Sequence, residues 1–326
     1  IGFYNSGYAP NNLNVTNNLG TLLTASGAVI ASGQYAGGLI GQYSFSPNVS
    51  VITDVTNLSY SSASGSVTGS SNYVGGLIGG VNGSVFDNLS ASGVVLQNGG
   101  STVGGLIGSF STFYNSWTGV NYGGKLTNSS ATGNVQGTAS GYTGGLVGNS
   151  AGNSIAGSNA TGNVTASGYY VGGLVGYSTT PISTSYARGV VTNSSNYAGG
   201  LVGISSATIT DSYATGSVTS STHYTGGLVG QSTAAITTSY ALGAVNGTGS
   251  NSERVGGLVG YSASTVTGSY ARGNVLVNGA NSNYAGGLIG YSSSTVTDSY
   301  ATGTVSGTGA SSSRIGGLIG YSTSGN

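Results

Sequence analysis

The chain has 326 residues, of which ten are charged (five Lys or Arg and five Asp or Glu), so that its formal net charge is zero. Charged residues make up 3% of the sequence, compared with roughly 25% in an ordinary globular domain. This balance excludes a basic surface for nucleic acid, and the absence of cysteine excludes a disulfide framework and a cysteine-ligated metal site.

The apolar residues are too scattered for a membrane span and too regular for a disordered chain. The longest apolar runs are three or four residues, far below the ~20 that a transmembrane helix needs, so we expect no membrane insertion. Hydrophobic residues still make up 37% of the sequence, which favours a packed core. The chain starts at Ile1 without a basic and apolar leader, and we interpret it as processed or excised.

Residues 1–23 differ from everything that follows and are predicted to form an N-terminal cap or a pairing segment. Residues 24–326 repeat a glycine signature, G-G-L-apolar-G, which alternates with a second marker such as "SYATG". The signature begins at Gly37, Gly75, Gly104, Gly144, Gly172, Gly199, Gly226, Gly256, Gly286 and Gly316. The spacing from signature to marker is constant except for insertions of about eleven residues near 45–55 and 111–125. Such a period predicts a solenoid whose surface joints absorb the insertions.

Each repeat carries three short stretches rich in β-branched or apolar residues. In residues 199–225 they read "GLVGIS", "TITDSYA" and "GSVTSST", with small polar residues at the joints. No stretch shows the three-and-four-residue apolar spacing of a helix. We therefore predict an all-β fold, a right-handed parallel β-helix (β-solenoid) of about ten coils with three short strands in each.

Stacking of the coils at ~4.8 Å would place like residues above one another in continuous columns. The signature leucines are predicted to form the main core column. Its members in the regular repeats are Leu146, Leu174, Leu201, Leu228, Leu258, Leu288 and Leu318. Valines such as Val218 and isoleucines such as Ile209 are predicted to form two more columns. The glycines around each leucine are predicted to allow positive φ at a corner and to leave room in a narrow interior.

The segment "YAGGLIGYS", followed by "TVTDSYATGTVSG", resembles the GLUG repeat, which is named for its G-L-apolar-G core. The resemblance extends over roughly residues 24–323. GLUG repeats occur in large secreted or surface-attached bacterial proteins, including immunoglobulin A peptidases and filamentous-haemagglutinin-like adhesins. The resemblance therefore implies an extracellular or cell-surface location and a β-helical stalk. The H-E-x-x-H zinc segment of the peptidases has no counterpart, because Tyr224 and Thr225 follow the single histidine, His223.

Residues with catalytic chemistry are sparse, and we predict no enzyme, no cofactor and no metal site. The sequence provides His223 with no partners for a triad or a metal site, and we interpret it as a loop residue. Asp211 and Asp298 share one repeat position three coils apart, too far for a glycosidase pair, and are interpreted as turn residues. The stretch "GVNYGGKL" (119–126) resembles a phosphate-binding loop but has leucine where Ser or Thr would hold magnesium.

Tyrosines recur in columns, and aromatic residues are the candidate ligand contacts. One column contains Tyr186, Tyr213, Tyr240, Tyr270 and Tyr300. The larger insertion adds Tyr114, Trp117 and Tyr122, which are predicted to form either a binding loop or a local cap. Two interpretations of the columns stay open at this point: stacked rings that stiffen the coil, or a stripe that binds glycans or a surface.

The sequence predicts a non-enzymatic extracellular structural protein, either the stalk of a surface adhesin or the subunit of a self-assembling fibre joined head to tail. Its partners would then be copies of itself, through end-to-end stacking. The alternative is a carbohydrate- or surface-binding module that uses the tyrosine columns and the Trp117 loop. Ice binding through threonine pairs, Thr265 with Thr267 and Thr295 with Thr297, is a further hypothesis.

Overall fold

The computed structural model is a parallel β-solenoid of about nine turns. It describes residues 3–5, 22–44, 57–70, 72–116, 119–138, 141–221, 223–250, 252–280, 282–309 and 312–324. Every regular element in these ranges is a strand of two to five residues, and none of them is a helix. The fold class predicted from the sequence is thereby confirmed, while the right-handed sense of the winding stays a prediction.

A complete coil contributes one strand to each of five sheets, which we number 1 to 5 in the order in which the chain enters them. Sheet 1 contains Phe3–Asn5, Ile40–Ser44, Ile78–Asn82, Ile107–Ser111, Val147–Ala151, Val175–Ser178, Val202–Ser205, Val229–Ser232, Val259–Ser262, Ile289–Ser292 and Ile319–Ser322. Sheet 2 contains Asn57–Ser59, Val85–Asp87, Lys125–Thr127, Ser154–Ala156, Ile182–Ser183, Ile209–Thr210, Ile236–Thr237, Val266–Thr267 and Val296–Thr297.

The remaining three sheets close the coil. Sheet 3 contains Thr24–Ala25, Ser62–Ala63, Ser90–Ala91, Ser130–Ala131, Asn159–Ala160, Tyr186–Ala187, Tyr213–Ala214, Tyr240–Ala241, Tyr270–Ala271 and Tyr300–Ala301. Sheet 4 contains Val29–Ala31, Val67–Gly69, Val95–Gln97, Val135–Gly137, Val164–Ala166, Val191–Asn193, Val218–Ser220, Val245–Gly247, Val275–Val277 and Val305–Gly307. Sheet 5 contains Tyr35–Gly37, Tyr73–Gly75, Thr102–Gly104, Tyr142–Gly144, Tyr170–Gly172, Tyr197–Gly199, Tyr224–Gly226, Arg254–Gly256, Tyr284–Gly286 and Ile315–Gly316.

The coil has five strands rather than the predicted three because one predicted strand is broken and one joint is itself a strand. Within "TITDSYA", Asp211 has φ of 48°, which turns the chain from sheet 2 into sheet 3. Tyr224–Gly226, predicted as a joint, pairs in sheet 5. The left-handed corner recurs at one position of every coil, occupied by Leu22, Tyr60, Asn88, Asn128, Gly157, Thr184, Asp211, Thr238, Gly268 and Asp298.

The interior is divided into two apolar compartments rather than one. The larger holds the signature leucines together with inward residues of sheets 1, 2 and 3. The smaller holds valines and alanines of sheets 4 and 5. All of the predicted core leucines from Leu146 to Leu288 are fully buried, whereas Leu318, in the last described coil, is 41% exposed. The predicted valine and isoleucine columns lie in different compartments, as Val218 and Ile209 show.

The signature glycines form the waist between these compartments, where backbones approach too closely for a side chain. A Cβ on Gly203 would lie 2.7 Å from the Val171 nitrogen of the preceding coil, and a Cβ on Gly200 would meet the Gly227 carbonyl oxygen of the next. None of the glycines at 199, 200 and 203 has positive φ. The prediction of positive φ at these glycines is therefore wrong, and close packing is the reason for them.

A buried serine column satisfies the backbone where the chain turns from sheet 2 into sheet 3. The Ser212 amide donates to the Ser239 Oγ at 3.2 Å, and the Ser212 hydroxyl donates to the Thr210 carbonyl at 2.7 Å. The same arrangement links Ser185 to Ser212 and Ser239 to Ser269. Because buried amides are costly to leave unpaired, this column stabilises every corner it passes.

The predicted N-terminal segment and the two insertions are described only in part. Phe3–Asn5 pairs in parallel with Gln42–Ser44 at the start of sheet 1. The insertion near 45–55 lies outside the described residues. In the larger insertion, Phe113–Asn115 and Val120–Tyr122 form an antiparallel hairpin between sheets 1 and 2. This hairpin is the only antiparallel pair among the described strands.

Candidate interaction surfaces

Five tyrosines on the outer face of sheet 3 form the most regular surface feature, which we call the sheet-3 tyrosine column: Tyr186, Tyr213, Tyr240, Tyr270 and Tyr300. Each of these tyrosines is followed by an alanine in the same strand. Because successive side chains of a strand point to opposite faces, the alanine lies in the core and the tyrosine lies on the surface. Neighbouring ring centroids are 4.8 to 5.0 Å apart, with interplanar angles of 1° to 5°. The rings therefore cover one another's faces and present their edges and hydroxyl groups to solvent.

Two arginines on the same surface contact the rings and hydroxyl groups of this column. The Arg188 guanidinium lies 4.7 Å from the Tyr186 ring centre and donates to the Tyr213 hydroxyl at 3.3 Å. Arg272 repeats the arrangement with Tyr270 and Tyr300. The hydrogen bond to the tyrosine hydroxyl raises the pKa of each arginine. Because both guanidinium groups are exposed, these contacts order the surface more than they stabilise the fold.

A second column runs along the outer face of sheet 5. Its tyrosines are Tyr35, Tyr73, Tyr142, Tyr170, Tyr197, Tyr224 and Tyr284. Adjacent rings from Tyr142 to Tyr224 stack at 4.5 to 5.3 Å. Arg254 takes the tyrosine position in one coil, with its guanidinium 4.8 Å from the Tyr224 ring and 5.3 Å from the Tyr291 ring. The guanidinium therefore takes the place of a ring in the stack and makes cation–π contacts with its neighbours.

The hairpin presents the aromatic residues of the larger insertion. Tyr114 is 60% exposed, and Tyr122, opposite Phe113, is half-buried. Trp117 lies outside the described residues. The hairpin leaves the coil between sheets 1 and 2, while the sheet-3 tyrosine column starts two coils later. The described residues among the predicted ligand contacts therefore belong to two separate surfaces, not to one site.

The ionisable residues form no catalytic arrangement in the described part of the chain. His223 Nδ1 lies 3.9 Å from an oxygen of Glu253, which also lies 3.4 Å from Arg254, at a solvent-exposed joint. No group of three metal-binding side chains occurs among the described residues. Lys125, the lysine of the phosphate-loop-like stretch, begins a strand of sheet 2 instead of a helix. The described residues also contain no helix long and apolar enough to cross a membrane.

Three of the described aspartates lie at or beside the turns between sheets 2 and 3. Two of them, Asp211 and Asp298, were interpreted as turn residues from the sequence. Asp211 and Asp298 both occupy the left-handed position between sheets 2 and 3, and the Asp211 carboxylate accepts a hydrogen bond from the Thr238 hydroxyl. Asp87, one residue before that corner, accepts hydrogen bonds from Thr127 and Asn128 of the next coil. The Thr127 hydrogen bond is the main reason that the pKa of Asp87 is lowered.

Comparison with known families identifies the GLUG motif at residues 194–219, 251–276 and 281–306. Each matched segment starts just before a sheet 5 strand and ends within a sheet 4 strand, so that one motif is one coil. The predicted resemblance is confirmed for these three coils. Comparison with curated proteins and comparison with solved structures each found no match.

Proposed function

We propose that this chain is a non-enzymatic extracellular scaffold. The premise is that three of its repeats are GLUG motifs and that each motif is one coil of a continuous solenoid. In this role it holds attached segments away from a surface, either as the stalk of an adhesin or as the subunit of a fibre. The extracellular location rests on the occurrence of GLUG motifs in secreted bacterial surface proteins.

The unbroken core column is the observation that carries this proposal. Eight successive signature leucines, from Leu77 to Leu288, are fully buried on a single axis. Backbone hydrogen bonds run parallel to that axis, as from the Leu201 amide to the Leu228 carbonyl at 2.8 Å. Nine turns at ~4.8 Å give a rod roughly 45 Å long. Such a rod transmits force along its length because each coil is bonded to the coils on both sides.

The two versions of the scaffold differ in what would cover the last described coil. Ile315 is 41% exposed, whereas Ala285, the residue below it in sheet 5, is 1% exposed. Leu318 is exposed to the same extent, while Leu288 below it is fully buried. A further coil would cover both residues. In a stalk that coil belongs to the same polypeptide, and in a fibre it belongs to another copy.

Electron microscopy and sedimentation at rising protein concentration separate the stalk from the fibre. A fibre subunit forms rods of several times the single-chain length, and Leu318→Lys prevents their formation. Leu242→Lys is the matched control because Leu242 is 39% exposed on the side of the rod. Single rods at every concentration support the stalk. Globular or flexible particles contradict both versions, and hydrolysis that is lost in His223→Ala contradicts the non-enzymatic role.

Surface binding by the hairpin is the second candidate, and the exposure of Tyr114 favours it. The sheet-3 tyrosine column supports carbohydrate binding less well, because its ring faces are covered by other rings. A glycan array tests both surfaces: Tyr114→Ala and Trp117→Ala report on the hairpin, and Tyr240→Ala reports on the column. If the parent chain binds a glycan and all three variants still bind it, the ligand contacts neither the hairpin nor the column.

A further inference from the structure

A seam runs along the rod where the outer faces of sheets 1 and 5 meet. In four coils, tyrosines of sheet 1 fill the seam by packing on the sheet 5 column: Tyr177, Tyr261, Tyr291 and Tyr321. The ring centroids of Tyr177 and Tyr142 are 5.5 Å apart, and those of Tyr321 and Tyr284 are also 5.5 Å apart. Tyr261 and Tyr291 occupy the same sheet 1 position. In these coils the seam accommodates a six-membered ring.

Near the N-terminal end the same position holds small or polar residues, and the seam is open. Gln42, Gly80 and Ser109 are paired in register at the place where tyrosine stands in four of the later coils. The result is a groove of about 250 Å³, bordered by the stacked rings of Tyr35 and Tyr73, whose centroids are 5.0 Å apart. Gln42, Gly80 and Ser109 leave this space because each side chain is smaller than that of tyrosine.

The lining of the groove is aromatic on one side and polar without charge on the other. Gln42, Asn82 and Ser109 contribute amide and hydroxyl groups, and none of the lining residues is ionised at neutral pH. The Asn82 side-chain oxygen is buried and has no hydrogen-bond partner among the described residues. The ring stack of sheet 5 ends at Tyr73, because Thr102 follows it in register. One face of Tyr73 is therefore not covered by a ring of its own column.

We propose that this groove binds a neutral pyranose ring of a polysaccharide. An aromatic wall opposite a few convergent uncharged donors and acceptors matches the apolar face and the hydroxyl groups of a hexose. The amide of Asn82 carries both an acceptor oxygen and a donor nitrogen that suit a sugar hydroxyl. The volume of about 250 Å³ lies just below the ~300–1,000 Å³ of ordinary ligand pockets, which limits the occupant to one or two sugar units.

The absence of ionised groups from the lining argues against an acidic or basic sugar, because a charged ligand would lose hydration without gaining a partner. The main competing ligand is an aromatic ring, since tyrosine fills the equivalent space in four of the later coils. The polar side of the groove favours the sugar, because an aromatic ring would leave the Asn82 amide unpartnered.

Titration calorimetry and saturation-transfer NMR on the full chain test the proposal. The probes are neutral hexasaccharides of β-1,4-glucose, α-1,4-glucose, mannose and N-acetylglucosamine, a hyaluronan hexasaccharide, and N-acetyl-tyrosinamide. We expect at least one neutral oligosaccharide to bind more tightly than both hyaluronan and N-acetyl-tyrosinamide. No binding by any neutral probe, or tighter binding of the aromatic probe, overturns the proposal.

Ser109→Tyr closes the groove by copying the natural pairing of Tyr177 with Tyr142, and we expect it to weaken binding at least tenfold. Gln231→Tyr is the matched control, since position 231 is equivalent in sheet 1 but lies four coils away from the groove. It should bind like the parent, as should Tyr240→Ala on sheet 3.

Asn82→Ala should weaken binding several-fold with no change in unfolding temperature. Equal affinity of Ser109→Tyr and the parent would overturn the assignment, while the scaffold proposal would stand.

Discussion

Gly200 and Ala214 meet across the interior of one coil, where a Cβ placed on Gly200 would lie 2.9 Å from the Ala214 Cβ. The same meeting occurs at Gly38 with Ala63, Gly76 with Ala91, Gly105 with Ala131, Gly145 with Ala160, Gly173 with Ala187, Gly227 with Ala241, Gly257 with Ala271 and Gly287 with Ala301. The two marker motifs of the repeat are therefore partners: the glycine of one packs on the alanine of the other. Their contact divides the core into its two compartments.

Gly200→Ala should destabilise the rod by about 1–3 kcal/mol, because the added methyl group meets both Ala214 and the backbone of the next coil. The measurement is the urea midpoint of unfolding. Gly317→Ala is the control, because Gly317 has the same place in the motif, but a Cβ there would meet nothing within 4 Å. An equal loss in both variants would show that the waist is not the cause.

Ser212→Ala should cost about 1–3 kcal/mol, because it leaves the buried amide of Ser185 without its acceptor. Thermal unfolding followed by circular dichroism measures the loss. Ser206→Ala is the matched control at an exposed turn and should change stability by less than ~0.5 kcal/mol. A neutral Ser212→Ala would show that water or a shifted backbone replaces the hydroxyl.

Arg254→Met should destabilise the sheet 5 column by about 0.5–2 kcal/mol, because the guanidinium lies near the rings of Tyr224, Tyr284 and Tyr291. Methionine keeps the apolar stem and removes the charge. Arg272→Met, an exposed arginine over one ring, should show no measurable change in the same unfolding experiment. An equal loss of stability in both variants would contradict a stabilising role of the Arg254 guanidinium among the three rings.

Stability should be nearly constant from about pH 5 to 9 and should fall above about pH 10, the ordinary range for tyrosine. Burial, followed by neighbouring tyrosines, raises the pKa of Tyr35, Tyr142, Tyr197 and Tyr240 in the folded chain. The folded state thus holds these protons more tightly than the unfolded state, and unfolding releases them once pH exceeds the unfolded pKa. The stabilisation is complete below that value and is lost as pH rises through the folded pKa.

Melting temperatures measured against pH, together with tyrosinate absorbance, check this dependence. Replacing the four tyrosines by phenylalanine should flatten the alkaline limb, because phenylalanine keeps the stacking and has no proton to lose. At the acid end the sign is reversed for Asp87, whose pKa is lowered in the folded state. Its contribution is present above the unfolded aspartate pKa and is lost as pH falls through the folded value.

Residue spacing alone predicted the solenoid, the leucine column and the tyrosine columns, because these depend on recurrence, but it left open which way the tyrosines point. When a pattern returns at constant length, every member of a position must lie above the previous one. Asp211 and Asp298 were correctly interpreted as turn residues by the same reasoning. The hairpin position followed from an insertion that interrupts the recurrence.

Recurrence failed to predict which backbone positions have positive φ and which sheets face one another. Glycine is so abundant that its presence did not distinguish the close packing at Gly200 from a turn, while the left-handed corners carry mostly other residues, such as Thr238 and Asn128. Nor did it predict the groove beside Tyr73, which exists because sheet 5 of one coil packs on sheet 1 of the next.

The sequence by itself therefore determined the axis of stacking and the identity of each column. Only the tertiary structure decided how a coil folds in cross-section: its five strands, its waist and its open seam. The reason is physical, since hydrogen bonds along the axis join like residues and are visible as a period. Contacts across the coil join unlike residues whose distance depends on backbone bends that the period does not specify.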